Sequence, residues 1–270
     1  MELNISFPGF KTKAVTLSYD DGSDSDRRMI SILDKYGLKC TFNICSGWSC
    51  KGNDEEKAHV AELYKNHEIA VHTVEHRFLD QLSQAEVAQQ IINDRIALES
   101  MTGKIVDGMA YPYGLSDTNN EPEIAKICGI NYARTVGATF NFQLPRDFLR
   151  WVPTCHHKAE KLFELTDAFL SAEGTGPHLL YVWGHSHEFA NDNNWERLEE
   201  FCKKVSSRDD IWYATNGEIA NYVKAFKQLK FSCDGNLVYN PTDKNLYANS
   251  RGKEILIESG KTINLSEVAK

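Results

Sequence analysis

A chain of 270 residues with 30 basic and 38 acidic side chains carries a formal net charge of −8. That balance excludes a nucleic-acid partner, which needs a basic footprint, and favours neutral or cationic ligands. No run of about eighteen apolar residues is present to cross a bilayer, so no membrane partner is expected. One (β/α) barrel of about 250 residues would use most of the chain, leaving no room for a second large domain.

The first element is an alternating apolar run over 13–19, which delivers Asp20 and Asp21 onto a turn at Gly22. Adjacent carboxylates resist being ionised together unless a cation lies beside them. By itself Asp-Asp-Gly is more often a plain turn, so the rest of the chain must supply the metal. A second strand-like run, 38–44, ends near Asn43 and is followed by Trp48. A third, 68–72, leads into His72 and His76. Neutral imidazoles and a carboxylate suit one divalent ion, zinc first and cobalt or nickel next, with a coordination position left open for water.

Residues 84–101 predict a helix, opened by Ser83 and Glu86 as a capping box, with Val87, Ile91 and Leu98 on its apolar face. Further strands are expected over 106–111, 131–136, 148–154, 178–184 and 210–215. Several end in chemistry-bearing residues: Tyr111-Pro112-Tyr113-Gly114, Arg134, His156-His157, and Trp183-Gly184-His185-Ser186-His187. Another helix follows Thr215-Asn216. Alternating strands and helices predict an α/β fold, a distorted (β/α) barrel of seven to eight parallel strands. The carboxyl ends of such strands open on one face, where scattered polar residues converge. Residues 1–229 form the barrel in this reading, and 230–270 a small β-hairpin extension packed on it.

The ordered motifs resemble the polysaccharide deacetylases of carbohydrate esterase family four, over roughly residues 13–225. The resemblance implies Asp20 as general base and Asp21, His72 and His76 as ligands of one divalent metal. It also implies the backbone N–H of Tyr113 as an oxyanion donor and His185 as general acid. The implied substrate is an acetylated sugar or glycan, cleaved by metal-activated water; amide and ester acetyl groups suit the same machinery. Trp48, Tyr111, His156, Trp183 and His187 are the candidate substrate contacts.

Two departures stand out. The family places an Arg before its Tyr-Pro segment to orient the base, and this chain has Ala110 there. The family's fourth motif, an Asp and a Trp that pair with the catalytic His, is not recognisable. Arg134, Arg146 and Arg150 could restore the missing charge, and Arg134 is best placed because it lies near a strand end. Two alternatives stay open: an allantoinase-like hydrolase of cyclic amides, distinguished by ring-opening assays, and a noncatalytic glycan-binding barrel, distinguished by the lack of an ordered metal. The start Met1-Glu2-Leu3-Asn4 has no basic and apolar leader, and seven cysteines at 40, 45, 50, 128, 155, 202 and 233 lack CxxC spacing. Reduced thiols in a cytoplasmic protein are the expectation.

Overall fold

The computed structural model describes residues 3–49, 54–174 and 176–268; Cys50 and the first two residues of the chain lie outside the described set. Its centre is a curled sheet in which every pairing is parallel. In chain order the strands are β1 (Asn4–Ser6), β2 (Lys13–Asp21), β3 (Cys40–Ile44), β4 (Glu68–Val71), β5 (Gly108–Ala110), β6 (Tyr132–Arg134), β7 (Cys155–His156), β8 (His178–His185) and β9 (Ile211–Tyr213). The path through the sheet is β6-β5-β4-β3-β2-β8-β7, with β9 paired to Lys13–Val15 of β2 below β3. β1 belongs to another sheet. Only an isolated bridge from Arg134 of β6 to Trp151, in the segment before β7, spans the gap between the ends of the path among the described residues, so the barrel closes incompletely.

The period-two alternation of β2 explains the layering. Val15, Leu17 and Tyr19 face outward into a core shared with Met29, Leu33, Leu198 and Phe201 of the surrounding helices. Thr16, Ser18 and Asp20 are also buried, and alternation turns them to the lumen. Cys40, Phe42 and Ile44 of β3 join the outer core, leaving Thr41 and Asn43 inside. In β6, Ala133 packs outward while Tyr132 and Arg134 point in. The lower lumen is plugged by Phe7, Ala14, Tyr132, Trp151 and Tyr181. Polar residues occupy the upper end.

The helix predicted at 84–101 spans Gln84–Thr102, and both arms of its capping box are made between Ser83 and Glu86. The helix after Thr215 runs over Asn216–Phe226 with a second capping box to Glu218. The strand expected over 148–154 does not form. Phe148–Arg150 is a 3-10 turn capped by Asp147, and Pro153 has no N–H to give to a ladder. Apart from the bridge of Trp151 to Arg134, pairing resumes at β7.

The C-terminal region forms β10 (Lys230–Phe231), β11 (Leu237–Tyr239), β12 (Leu246–Ser250), β13 (Lys253–Ile257) and β14 (Thr262–Asn264). These make two three-stranded antiparallel sheets, β1-β12-β13 and β10-β11-β14. β12 and β13 form the expected hairpin, and β1 adds to it from the other end of the chain. Residue 229 is therefore no packing boundary: Val238, Leu246, Ala248, Ile255 and Ile257 share one core with Phe7, Tyr181 and Tyr222. Among the described residues no disulfide forms; Cys40, Cys45, Cys128, Cys155 and Cys202 are buried and Cys233 is exposed. Nor is any described helix long and apolar enough to cross a membrane.

Candidate active site

β2 carries Asp20 and Asp21 to the open rim and then breaks. Asp21 adopts φ 81° and Gly22 φ 72°, a left-handed pair that turns the Asp21 carboxylate out of the strand pattern. Thr73, His76 and Tyr113 are also left-handed, at φ 64°, 53° and 60°. Non-glycine residues seldom adopt this region, and such strain gathers at functional sites.

Three of the predicted residues meet here. Asp21 Oδ1 lies 3.6 Å from His72 Nε2 and 3.7 Å from His76 Nε2. The ligand atoms of Asp21, His72 and His76 all fall within 4.8 Å of one another. His72 Nδ1 donates to the Ala110 carbonyl at 2.8 Å, an assignment of the tautomer from its partner that leaves the Nε2 lone pair facing Asp21. Asp21 Oδ1 and His72 Nε2 are buried with no hydrogen-bond partner. Burial, assisted by the facing imidazole, outweighs the neighbouring carboxylates and lowers the pKa of His72; burial likewise lowers that of His76. Neutral imidazoles and an orphaned carboxylate oxygen fit a divalent cation.

One residue holding this loop was overlooked in the sequence. Asp94 is fully buried on the helix Gln84–Thr102; its Oδ1 accepts the Ser46 N–H at 2.8 Å and its Oδ2 the His72 N–H at 2.9 Å. A signal existed, since Asp94 lies on the same helical face as Val87, Ile91 and Leu98. Gly47 completes the junction. Its N–H donates to the Val74 carbonyl at 3.0 Å, and a Cβ there would lie 2.2 Å from that oxygen.

Asp20 points into the lumen. Its Oδ1 accepts from Asn43 Nδ2 at 2.8 Å, and its Oδ2 is bound by the Arg134 guanidinium. Burial pushes the Asp20 pKa upward, but Arg134, His72 and His185 outweigh it and hold the carboxyl below its ordinary value. Arg134 is itself fully buried, its guanidinium carbon 4.4 Å from the centre of the Trp183 ring. In register Arg134 stands beside Ala110 on the adjacent strand. Arg150 instead pairs with Asp117 and Asp147 outside the lumen.

Asp20 is also in register with His185 at the end of β8. His185 Nδ1 lies 3.2 Å from Glu188 Oε2. Burial disfavours its charged form, yet the hydrogen bond to Glu188 and the charges of Asp20 and Asp21 raise its pKa. Gly184 is required by packing, because a Cβ there would lie 2.0 Å from His157 Nδ1. His157 is stacked between Tyr19 and Phe189, with ring centroids 5.6 and 4.2 Å away.

The candidate substrate contacts divide. Trp48 is 50% exposed and sits 5.6 Å from the His76 ring. Trp48, Asp21 and His187 line an open cavity of about 1330 Å³. Tyr113 is 55% exposed, stacked on Phe78 with centroids 3.7 Å apart. His156 is half-buried, with Nε2 3.2 Å from Glu188 and its ring edge-on to Trp183. Tyr111 is a correction: it is 1% exposed and its hydroxyl donates to the Leu149 carbonyl at 3.0 Å, so it belongs to the core. Trp183 is also buried and serves as the floor beneath Arg134 rather than an open face for a sugar.

Comparison with known proteins agrees with this architecture. Residues 8–133 match the family model for polysaccharide deacetylase. No curated protein matches the chain. A candidate polysaccharide deacetylase from Mycobacterium smegmatis superposes with a TM-score of 0.63 at 20% identity, covering 84% of this chain and 95% of that one. The family-four esterase domain of a multidomain xylanase from the hindgut metagenome of Trinervitermes trinervoides gives 0.55 at 15% identity, covering 80% and 92%. A mutant of a Bacillus anthracis family-four pseudoenzyme gives 0.52 at 17% identity, covering 82% and 71%. At such identities these likenesses show the fold. Residues 8–133 thus resemble the polysaccharide deacetylase family in sequence, and the curled parallel sheet that carries the site has the fold of the carbohydrate esterase family four structures.

Proposed function

We propose that the protein is a metal-dependent hydrolase that removes acetyl groups from an acetylated sugar or glycan. The observation that carries this reading is the convergence of two separate carboxylates on one rim: Asp21 among two imidazoles, and Asp20 against Arg134 and Asn43. Their different environments divide the labour. Asp21, His72 and His76 would hold a divalent cation, zinc in the first instance, which when bound polarises the acyl carbonyl and makes water acidic enough to react near neutral pH.

The remaining work falls to the chain's own groups. Asp20, kept ionised by Arg134, is a base for the proton of the attacking water. The Tyr113 N–H is a donor for the oxyanion that develops on the substrate carbonyl. His185, charged more readily than a free imidazole, gives a proton to the departing amine or alkoxide. Trp48 and the exposed Tyr113 ring offer apolar faces to a sugar beside the metal ligands.

The test is acetate release from a panel of acetylated oligosaccharides, with metal content measured in parallel. Chelation should abolish turnover, and zinc, cobalt or nickel should restore it. Asp21→Ala should lose metal, whereas Asp20→Asn should keep it and lose about 10²–10⁴ of the rate. Full activity in chelated protein of verified zero metal content would sink the reading.

A further inference from the structure

Glu188, three residues after His185, is surrounded by nitrogen. Its Oε2 lies 3.2 Å from His185 Nδ1, 3.2 Å from His156 Nε2 and 3.5 Å from His157 Nε2. The same oxygen accepts the backbone N–H of His185 at 3.1 Å, and Oε1 lies 3.5 Å from Lys158 Nζ. His156, His157 and Glu188 are close enough together to form a second metal site. The tautomer of His156 decides against it. His156 Nδ1 accepts the Lys158 backbone N–H at 3.1 Å, so the neutral ring carries its proton on Nε2, the nitrogen that faces Glu188. A protonated nitrogen cannot ligate.

Glu188 is thus an acceptor shared by imidazole N–H groups, and the same logic applies to His185. With its Nδ1–H directed to Glu188, the ring presents Nε2 as the nitrogen free for substrate. Resting on the deacetylase reading above, we propose that Glu188 is the positioning residue for His185, holding Nδ1–H and so fixing the tautomer and orientation of the ring with Nε2 directed to the leaving group. In that step the acyl bond breaks, its electron pair goes to the leaving nitrogen or oxygen, and that atom takes the Nε2 proton. His185 is left neutral, still donating Nδ1–H to Glu188. The acid thus comes from the turn after the strand that bears the histidine, where a search for the family's fourth motif finds nothing.

The electrostatics agree with the geometry. Burial would raise the pKa of Glu188, but hydrogen bonds from His156 and His185 and the charges of His156 and His157 hold it far below the carboxylate range. The groups that face His185 are Asp20, Asp21 and Glu188, which favour its charge, the imidazoles of His76 and His157, and the rings of His156, Trp183 and His187.

The experiment compares the metal-loaded wild type with Glu188→Gln, an isosteric change, using ¹⁵N-detected NMR of the histidine rings, metal analysis and steady-state kinetics across pH. In the variant the His185 ring should lose its single tautomer, with one metal per chain retained. The kcat should fall about 10- to 100-fold with KM little changed. An unchanged His185 tautomer overturns the proposal whatever the activity. A second metal equivalent in the wild type, lost from Glu188→Gln, also overturns it, because the carboxylate would then be a ligand. If no acetylated substrate is turned over by the wild type but the NMR changes occur, the pairing stands and the deacetylase reading falls.

Discussion

Asp94 takes the backbone N–H of His72 on one carboxylate oxygen and that of Ser46 on the other, at 2.9 and 2.8 Å. One helix side chain therefore fastens the loop that bears His72 to the loop that bears Trp48. Burial lifts the Asp94 pKa to about 6, against hydrogen bonds from Ser46, His72 and Thr73 that pull it down. An amide has one accepting atom where the carboxylate has two, so Asp94→Asn should release one of these loops. Metal affinity should fall about 10- to 100-fold, read by competition with a chromogenic chelator. Equal affinity in the two proteins would leave Asp94 as packing alone.

Arg134 and Asp20 are a buried ion pair, and removing one partner strands the other charge. Arg134→Met should lower the maximal rate about 10- to 100-fold and cost about 3–5 kcal/mol of stability, with metal content unchanged. The double variant Asp20→Asn with Arg134→Met should recover much of that stability and none of the activity. Denaturant melts separate the two effects. A fully active Arg134→Met enzyme would remove the arginine from the mechanism.

Asp26 provides a test by pH. It is buried at the start of the helix Asp26–Lys35, bonded by the hydroxyls of Ser186 and Tyr64, and burial raises its pKa to about 7 from the ordinary 3.8. Between those values the folded protein holds a proton that the unfolded chain has released. The stabilisation is therefore complete below about pH 4 and lost as pH rises through about 7. Asp26→Asn keeps a neutral side chain at every pH, so its stability curve should be flatter than the wild type's over this window. Parallel curves would show that Asp26 titrates normally in the fold.

Tyr111 and Trp48 should respond in opposite ways. Tyr111→Phe removes only the hydrogen bond to Leu149, costing about 1 kcal/mol of stability with kcat and KM unchanged. Trp48→Ala leaves the core intact and should raise KM about three- to tenfold with kcat nearly constant, as expected for lost binding area. A KM effect at Tyr111 would return that residue to the substrate groove.

The parts legible in the sequence were those that obey local periodicity. The alternation of β2, the capping box of Ser83 and Glu86, and the placing of Asp21 and of His72 at the ends of strands follow from patterns within single segments. Residues 148–154 are misleading because Leu149, Trp151 and Val152 carry strand composition, while Asp147 and Pro153 impose a turn and a break. Tyr111 shows a different limit. A strand-end aromatic can turn outward or inward, and a carbonyl supplied by Leu149, distant in sequence, satisfies its hydroxyl inside. Nothing within its own segment singles out Glu188, because three of the groups around it, His156, His157 and Lys158, come from another part of the chain.

The side-by-side register of Ala110 and Arg134 bears on how such sites are inventoried. Neighbouring parallel strands are about 4.8 Å apart, less than the length of an arginine side chain, so the cation can change strands and still reach the same carboxylate. A scan that compares sequences column by column marks position 110 as a lost function. A scan that measures outward from the Asp20 carboxylate finds its cation in place. Relatives dismissed as inactive for want of an arginine before their Tyr-Pro segment can be sorted anew by asking whether the next strand supplies one.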